Sequence, residues 1–128
     1  MQILGIHHVA IICSDYEASK KFYTQTLGLT ILKEQYRADR QSYKLDLLLA
    51  DNSQIELFSF PDAPQRLSYP EAQGLRHLAL RVENIELSIS LLNSKGLTTE
   101  PIRIDKDTNK KFTFFSDPDG LPIELYEN

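Results

Sequence analysis

The sequence has one cysteine, Cys13, and this scarcity excludes an internal disulfide framework. Cys13 has no CxxC partner for redox or zinc-thiolate chemistry, and its apolar neighbours indicate a small core residue. No run approaches the ~18 apolar residues that a membrane span needs. The apolar start, Ile3 to Cys13, also lacks the basic flank of a signal peptide. We therefore expect a cytoplasmic protein.

The sequence also lacks an excess of positive charge, since it has 14 Lys and Arg against 18 Asp and Glu, for a formal net charge of −4. This balance argues against nucleic acid or an anionic membrane as a partner. The sequence has no glycine-rich phosphate loop, no GxSxG elbow and no HExxH motif. It therefore gives no motif evidence for a P-loop nucleotide-binding protein, an α/β-hydrolase or a zinc metalloprotease. A composition of 41% hydrophobic and 25% charged residues instead fits one globular domain.

What the sequence does contain is an internal repeat. The segment His8-Val9-Ala10-Ile11 has a counterpart 69 positions later in His77-Leu78-Ala79-Leu80. The segment Ile55-Glu56-Leu57-Phe58 has a counterpart 68 positions later in Ile123-Glu124-Leu125-Tyr126. The two offsets differ by one residue, as a single deletion between the landmarks would produce. The chain is therefore predicted to consist of two duplicated modules.

A helix is predicted after the first strand of each module. Ser14 and Glu17 have the spacing of a capping box, and Gly28 is placed to end the first helix. Asn84 can cap the second helix, which Gly96 can end.

Segments of β character follow each helix. They are Thr30 to Arg37, Tyr43 to Ala50 and Ser53 to Phe60 in the first module, and about Thr98 to Ile104, Lys110 to Ser116 and Leu121 to Glu127 in the second. The predicted fold is α+β, with two tandem βαβββ modules.

We interpret residues 1–128 as a single domain, with module one at about 1–60, a proline-rich linker at 61–74 and module two at about 75–128. A module of about 60 residues buries little surface alone, so the modules should share one sheet or pack through their sheets.

Strand parity selects a candidate site. Because side chains alternate across a strand, Ile55 and Leu57 can face a helix while Glu56 points to the opposite face. The same alternation applies to Glu124, and each module begins with one histidine, His8 or His77. Each module thus offers one His from its first strand and one Glu from its last.

Taken singly, each histidine could be a hydrogen-bonded core residue and each glutamate an exposed strand residue. Their recurrence in both modules favours a shared site with metal ligands His8, Glu56, His77 and Glu124. Two imidazoles and two carboxylates suit one divalent transition metal; zinc or nickel is favoured, and cobalt, manganese or iron is also compatible. His7 has the opposite parity and Arg76 as its repeat counterpart, so we predict a structural role for it.

These segments, together with Gly74-Leu-Arg-His77-Leu-Ala-Leu and Asp117-Pro-Asp-Gly-Leu-Pro-Ile-Glu124-Leu, resemble the glyoxalase I branch of the vicinal oxygen chelate superfamily. The resemblance covers nearly the whole chain. It implies paired βαβββ modules forming a cupped mixed sheet around a metal site, commonly in a homodimer. In that superfamily, dioxygenases and fosfomycin-resistance enzymes use two His and one Glu, so a glutamate at Glu56 favours the glyoxalase type.

The implied activity is that of a lactoylglutathione lyase-like enzyme, with proton transfer on a small α-hydroxy carbonyl or hemithioacetal adduct. Glu124 is the first candidate for the catalytic base and Glu56 the second. Other metal-dependent reactions of the superfamily (epimerisation, thiol transfer, oxygenation) and non-catalytic binding of a small molecule remain as alternatives.

The sequence departs from the glyoxalase I pattern at two positions. The arginine and the asparagine that usually grip glutathione, four residues after the first and second ligands, are Ile12 and Phe60 here. Apolar side chains cannot bind a peptide carboxylate, so these two positions do not favour glutathione as the thiol carrier. Basic residues near strand ends could contact a different anion: Arg37, Arg103, Lys106 and Lys110.

Overall fold

The computed structural model describes residues 1–128. It divides into two compact units, Met1–Gln65 and Arg66–Asn128, and the boundary falls inside the predicted linker. Each unit contains one four-stranded sheet and a helical segment after its first strand, so the predicted α+β fold of two βαβββ modules is confirmed. None of the helices is long and apolar enough to cross a membrane.

The first unit is built on a sheet of strand order β1-β4-β3-β2. Strands β1 and β4 are parallel, and the other neighbours are antiparallel. The elements are β1 (His8–Cys13), α1 (Tyr16–Lys21) with a π-helical continuation (Phe22–Thr26), β2 (Thr30–Arg37), β3 (Ser42–Leu48) and β4 (Gln54–Ser59).

The second unit repeats this topology in the strand order β5-β8-β7-β6. Its first and last strands, β5 and β8, are again parallel. The elements are β5 (Leu78–Val82), α2 (Ile85–Ser94), β6 (Arg103–Ile104), β7 (Lys111–Ser116) and β8 (Pro122–Glu127).

The helix ends follow local capping rules, with one correction. Asp15, and not the predicted Ser14, caps α1, because its carboxylate accepts a hydrogen bond from the amide of Ala18. Asn84 caps α2 as predicted, accepting from the amide of Leu87 at 2.8 Å. Gly96 follows α2 with a φ of +82°, a left-handed conformation that glycine adopts without a Cβ penalty.

The predicted strand from Thr98 to Ile104 is wrong in length, since only Arg103–Ile104 is a strand. The amide of Glu100 still bonds to the carbonyl of Phe114 at 2.8 Å, so the chain begins to pair beside β7. Pro101 follows directly, and proline has no amide hydrogen to continue a ladder. The edge strand therefore starts only beyond Pro101.

Buried and exposed side chains alternate along the last strand of each unit. Ile55 and Leu57 in β4 are 2% and 0% exposed, and Ile123 and Leu125 in β8 are 0% and 5% exposed. These four side chains anchor the core, at about 2–3 kcal/mol of burial free energy each. The residue between each pair, a glutamate, points to the other face of its sheet.

A polar cluster ties α1 to β2 in the first unit. Lys20 Nζ lies 2.6 Å from Glu34 Oε2, and the Tyr16 hydroxyl donates to the same oxygen. Hydrogen bonding from Lys20, and then from Tyr16, lowers the pKa of Glu34. Burial and the adjacent Glu34 raise the pKa of Tyr16, so its phenol remains a donor. The cluster attaches the helix to the edge strand of the sheet.

Candidate metal-binding and catalytic site

In the first unit, the parallel pairing of β1 and β4 brings His8 close to Glu56. Ala10 lies directly opposite Glu56 in the register, and His8 is on the same face of β1 as Ala10. The distance from His8 Nε2 to Glu56 Oε2 is 3.7 Å. The Glu56 side chain is only 16% exposed, so its charge requires a nearby cation.

That cation is Lys44, which sequence reasoning missed. Lys44 lies on β3, and its ammonium is 2.9 Å from Asp46 Oδ1 and 3.0 Å from Glu56 Oε1. Asp46 is the cross-strand neighbour of Glu56, so the three side chains share one face. Hydrogen bonding to Asp46, together with that to Glu56, raises the pKa of Lys44 in spite of partial burial. Lys44 therefore holds Glu56 in place.

His7, for which a structural role was predicted, contacts His8 in the first unit. Its Nδ1 lies 2.9 Å from Nδ1 of His8, and the two rings meet edge to face. Because β1 begins at His8, His7 precedes the strand, and strict alternation does not apply to it. The contact occupies Nδ1 of His8, which leaves Nε2 to face Glu56. A hydrogen bond of this kind fixes the tautomer and orientation of a ligand histidine.

In the second unit, β5 and β8 bring His77 to Glu124 in the same way. Ala79 lies opposite Glu124, and the distance from His77 Nε2 to Glu124 Oε2 is 3.2 Å. The cross-strand neighbour of Glu124 on β7 is Phe114. The Phe114 ring meets the His77 imidazole edge to face, with 5.2 Å between ring centroids.

The two His–Glu pairs thus differ in their surroundings. Lys44 and Asp46 beside Glu56 correspond to Phe112 and Phe114 beside Glu124, 68 positions later in the chain. No lysine or arginine lies within 4.0 Å of Glu124. One carboxylate is therefore anchored by an ammonium, whereas the other has an aromatic neighbour and a histidine.

The donor spacing of the His–Glu pair in the second unit matches that of two ligands that share a divalent ion. Two donor atoms that share one zinc-like ion at about 2.1 Å, with an angle of about 90–110°, are about 3.0–3.4 Å apart. The His77–Glu124 distance falls in this range, and the His8–Glu56 distance of 3.7 Å is slightly longer. The structure contains no group of three or more His, Cys, Asp or Glu side chains that could hold a metal ion, so the four predicted ligands are placed as two His–Glu pairs, one in each unit. Each unit supplies two donors.

The two positions that depart from the glyoxalase I pattern lie in the first unit. Ile12 is 52% exposed and lies on the same face of β1 as His8. Phe60 stacks on Phe58, with ring centroids 5.5 Å apart and planes 8° from parallel. These two positions therefore carry apolar and aromatic side chains, whereas a glutathione site would have hydrogen-bonding side chains there.

Cys13 is buried and donates weakly to the carbonyl of Phe58, as a core residue should.

Known proteins carry the same fold and sequence pattern. The chain is 58% identical over 127 residues to the protein YwkD of Bacillus subtilis (strain 168), covering 99% of both chains. The structure of the glyoxalase family protein from Enterococcus faecalis superposes with a TM-score of 0.91 at 52% identity, covering 99% of this chain and all of that one.

A more distant relative carries an enzyme name. The chain is 26% identical over 125 residues to the "Probable lactoylglutathione lyase" of Vibrio cholerae serotype O1 (strain ATCC 39315 / El Tor Inaba N16961), covering 96% of this chain and 90% of the relative. The family model of the Glyoxalase/Bleomycin resistance protein/Dioxygenase superfamily matches residues 5–125. A match over this much of the sequence, joined to the duplicated βαβββ topology, means that the chain belongs to this superfamily.

Proposed function

We propose that the protein is a metal-dependent enzyme of the glyoxalase I type. In this proposal one divalent transition metal, zinc or nickel in the first place, is bound by His8, Glu56, His77 and Glu124. The reaction is a proton transfer on a small α-hydroxy carbonyl or hemithioacetal adduct. The observation that carries the proposal is the duplicated His–Glu pair, with nitrogen and oxygen donors 3.7 Å and 3.2 Å apart. Members of the superfamily typically bind a divalent metal, which supports the same conclusion.

The bound metal supplies Lewis-acid chemistry that makes a C–H bond next to a carbonyl easier to ionise. The protein must then provide a carboxylate that removes the proton from C1 and returns it to C2 of the adduct. Glu124 fits this role better than Glu56. A proton acceptor has to move toward the substrate, and Glu56 could move only by breaking its 3.0 Å ion pair with Lys44. Glu124 has no such restraint.

The metal site can be tested without a substrate. We expect the purified protein to contain about one zinc, nickel or related ion per chain, measured by elemental analysis. The double variant Glu56→Gln, Glu124→Gln should lose it, whereas Glu71→Gln, which removes a surface carboxylate, should keep it. Full metal retention in the double variant would contradict the proposed ligands.

The reaction is tested with methylglyoxal and a panel of thiols that includes glutathione. At saturating metal, Glu124→Gln should lower kcat about 10²–10⁴-fold, the usual contribution of a general base. Glu56→Gln should act mainly by weakening the metal affinity. Equal loss of kcat in both variants would contradict the assignment of Glu124. No turnover with any thiol would exclude the glyoxalase reaction and leave the superfamily and fold untouched.

The alternatives predict different results in the same experiments. An epimerase, a thiol transferase or a dioxygenase would retain the metal and fail the methylglyoxal assay. A non-catalytic binding protein has no need of the four ligands, so its ligand affinity would survive the Glu56→Gln, Glu124→Gln change.

A homodimer is also part of the proposal. Large apolar side chains in the N-terminal segment are exposed and would be stabilised by a partner chain. They are Met1, Ile3, Leu4 and Ile6. Light scattering should give twice the chain mass of 14.7 kDa; a single-chain mass at micromolar concentration would contradict the dimer.

A further inference from the structure

Two arginines occupy the tip of the hairpin between β2 and β3 in the first unit. Arg37 is the last residue of β2, and the amide of Arg40 donates to the carbonyl of Arg37 at 3.1 Å. This bond closes a four-residue turn, which holds the two arginines within about 7 Å of each other at the backbone. Gln41 follows in a left-handed conformation, and β3 then begins at Ser42.

Both guanidinium groups lie over aromatic rings. The Arg37 Cζ is 5.3 Å from the centre of the Phe58 ring, and the Arg40 Cζ is 5.0 Å from the centre of the Phe60 ring. The two rings are themselves stacked. Stacking on a ring immobilises each guanidinium while leaving its hydrogen-bond donors at the edges. The arrangement places two positive charges over a pair of stacked aromatic rings.

These two charges have no anionic partner. No carboxylate lies within 4.0 Å of either guanidinium, and Asp39, in the same turn, pairs with neither arginine. The Nε atom of Arg37 is buried without a hydrogen-bond partner. Nearby Asp46 and Glu56 are already occupied by Lys44. A buried donor on a cation without an acceptor is costly, and an oxyanion is its natural complement.

The second unit provides a contrast. Arg103 also lies over aromatic rings, 5.0 Å from the Phe112 centre and 5.3 Å from the Phe114 centre. Its guanidinium, however, is 2.8 Å from Glu100 Oε2, so its charge is already compensated. Lys110, another candidate from the sequence, donates to the carbonyl of Asn128. Among the arginines that lie over aromatic rings, Arg37 and Arg40 therefore differ from Arg103 in having no carboxylate partner.

We propose that Arg37 and Arg40, supported by Phe58 and Phe60, bind an oxyanion, a carboxylate or a phosphate group, of a small-molecule ligand. Arg37 faces the same side of the sheet as Glu56, because it pairs with Ser42, two residues before Lys44 on β3. The inference extends the proposed function by naming its substrate class, an anionic α-hydroxy carbonyl compound. It also explains how an anion is held although Ile12 and Phe60 replace the usual polar residues.

The test measures anion binding without requiring turnover. Inorganic phosphate and acetate are titrated separately into the ¹⁵N-labelled protein, and the arginine Nε–Hε resonances are followed by NMR. The variants are Arg37→Met and Arg40→Met, which keep an apolar stem over the rings. Arg103→Met is the matched control, since it removes the same charge from the same kind of stacking. Thermal unfolding of each variant checks the fold, and Arg37→Gln, which removes the charge but keeps a polar side chain, replaces Arg37→Met if the latter unfolds.

We expect saturable shifts in the parent, a loss of affinity of about 10–100-fold in Arg37→Met and Arg40→Met, and no change in Arg103→Met. Tighter binding of phosphate than acetate would assign a phosphorylated ligand, and the reverse would assign a carboxylate. An equal loss in Arg103→Met, or no saturable binding of either anion, would overturn the inference. Metal content measured on the same samples tests the proposed function separately, because neither result determines the other.

Discussion

Replacing Lys44 by methionine removes the ammonium that lies between two carboxylates of the first unit. Asp46 and Glu56 are cross-strand neighbours, and without Lys44 two negative charges would face each other on one side of the sheet. The Lys44 side chain is 19% exposed and the two carboxylate side chains are each 16% exposed. Solvent can therefore screen this repulsion only in part.

The size of the effect follows from this partial burial. Breaking a fully buried ion pair by removing one partner costs about 3–5 kcal/mol, whereas an exposed pair contributes about 0–1 kcal/mol. At roughly four-fifths burial we expect a loss of about 2–3 kcal/mol. With an unfolding entropy of about 2.1 cal/mol/K per residue, the melting temperature of this 128-residue chain should fall by about 7–11 °C.

The measurement is urea and thermal unfolding in buffer that contains a metal chelator. Lys21→Met is the matched control, because Lys21 is an exposed lysine at the end of α1 with no carboxylate within 4.0 Å; its loss should stay within about 0.5 kcal/mol. If the proposed metal site is correct, saturating zinc should reduce the Lys44→Met deficit, since a cation again lies beside Glu56. Unchanged stability of Lys44→Met, or an equal loss in Lys21→Met, would refute the reasoning.

Three further predictions concern the first unit. Since Lys20 lowers the pKa of Glu34, the stabilisation from this pair is present above the unfolded pKa of 4.5 and lost as pH falls through the lower folded value. Urea unfolding should therefore show Glu34→Gln about 0.5–1 kcal/mol less stable than the parent at pH 7; a gap that persists at pH 2 would contradict this. Leu57→Ala should cost about 2–5 kcal/mol in the same assay, because the side chain is fully buried, and a loss below 1 kcal/mol would contradict its core position. His7→Phe should weaken zinc affinity about 10-fold or more by freeing His8 Nδ1, and unchanged affinity in calorimetry would show that His7 does not orient His8.

Much of the fold could be predicted because its signals are local or repeated. The repeated segments that contain His8 and His77, and Glu56 and Glu124, predicted two equal modules. The alternation of side chains along a strand placed Glu56 and Glu124 on the face of the sheet away from the buried leucines and isoleucines. Glycine and asparagine predicted where the second helix begins and ends. The failures were also local. Asp15, and not Ser14, caps the first helix, and the edge strand of the second unit begins only after Pro101.

The candidate site was harder to predict in full. Its histidines and glutamates could be identified because they recur in both modules. Lys44 and Arg40 have no counterpart of the same type in the second module. No local signal indicates these two residues, since Lys44 contacts Glu56 and Arg40 contacts Phe60, and both partners are distant along the chain.

The sequence by itself determined the two modules and the residue types that each brings to its sheet, because strand alternation and duplication are properties of the chain alone. Only the tertiary structure decided that the two glutamates are not equivalent. That difference arises from the pairing of β3 with β4 and of β7 with β8, which places a lysine beside Glu56 and a phenylalanine beside Glu124. Cross-strand register joins residues at distances along the chain that no local pattern encodes, so the asymmetry appears only when the sheets have formed.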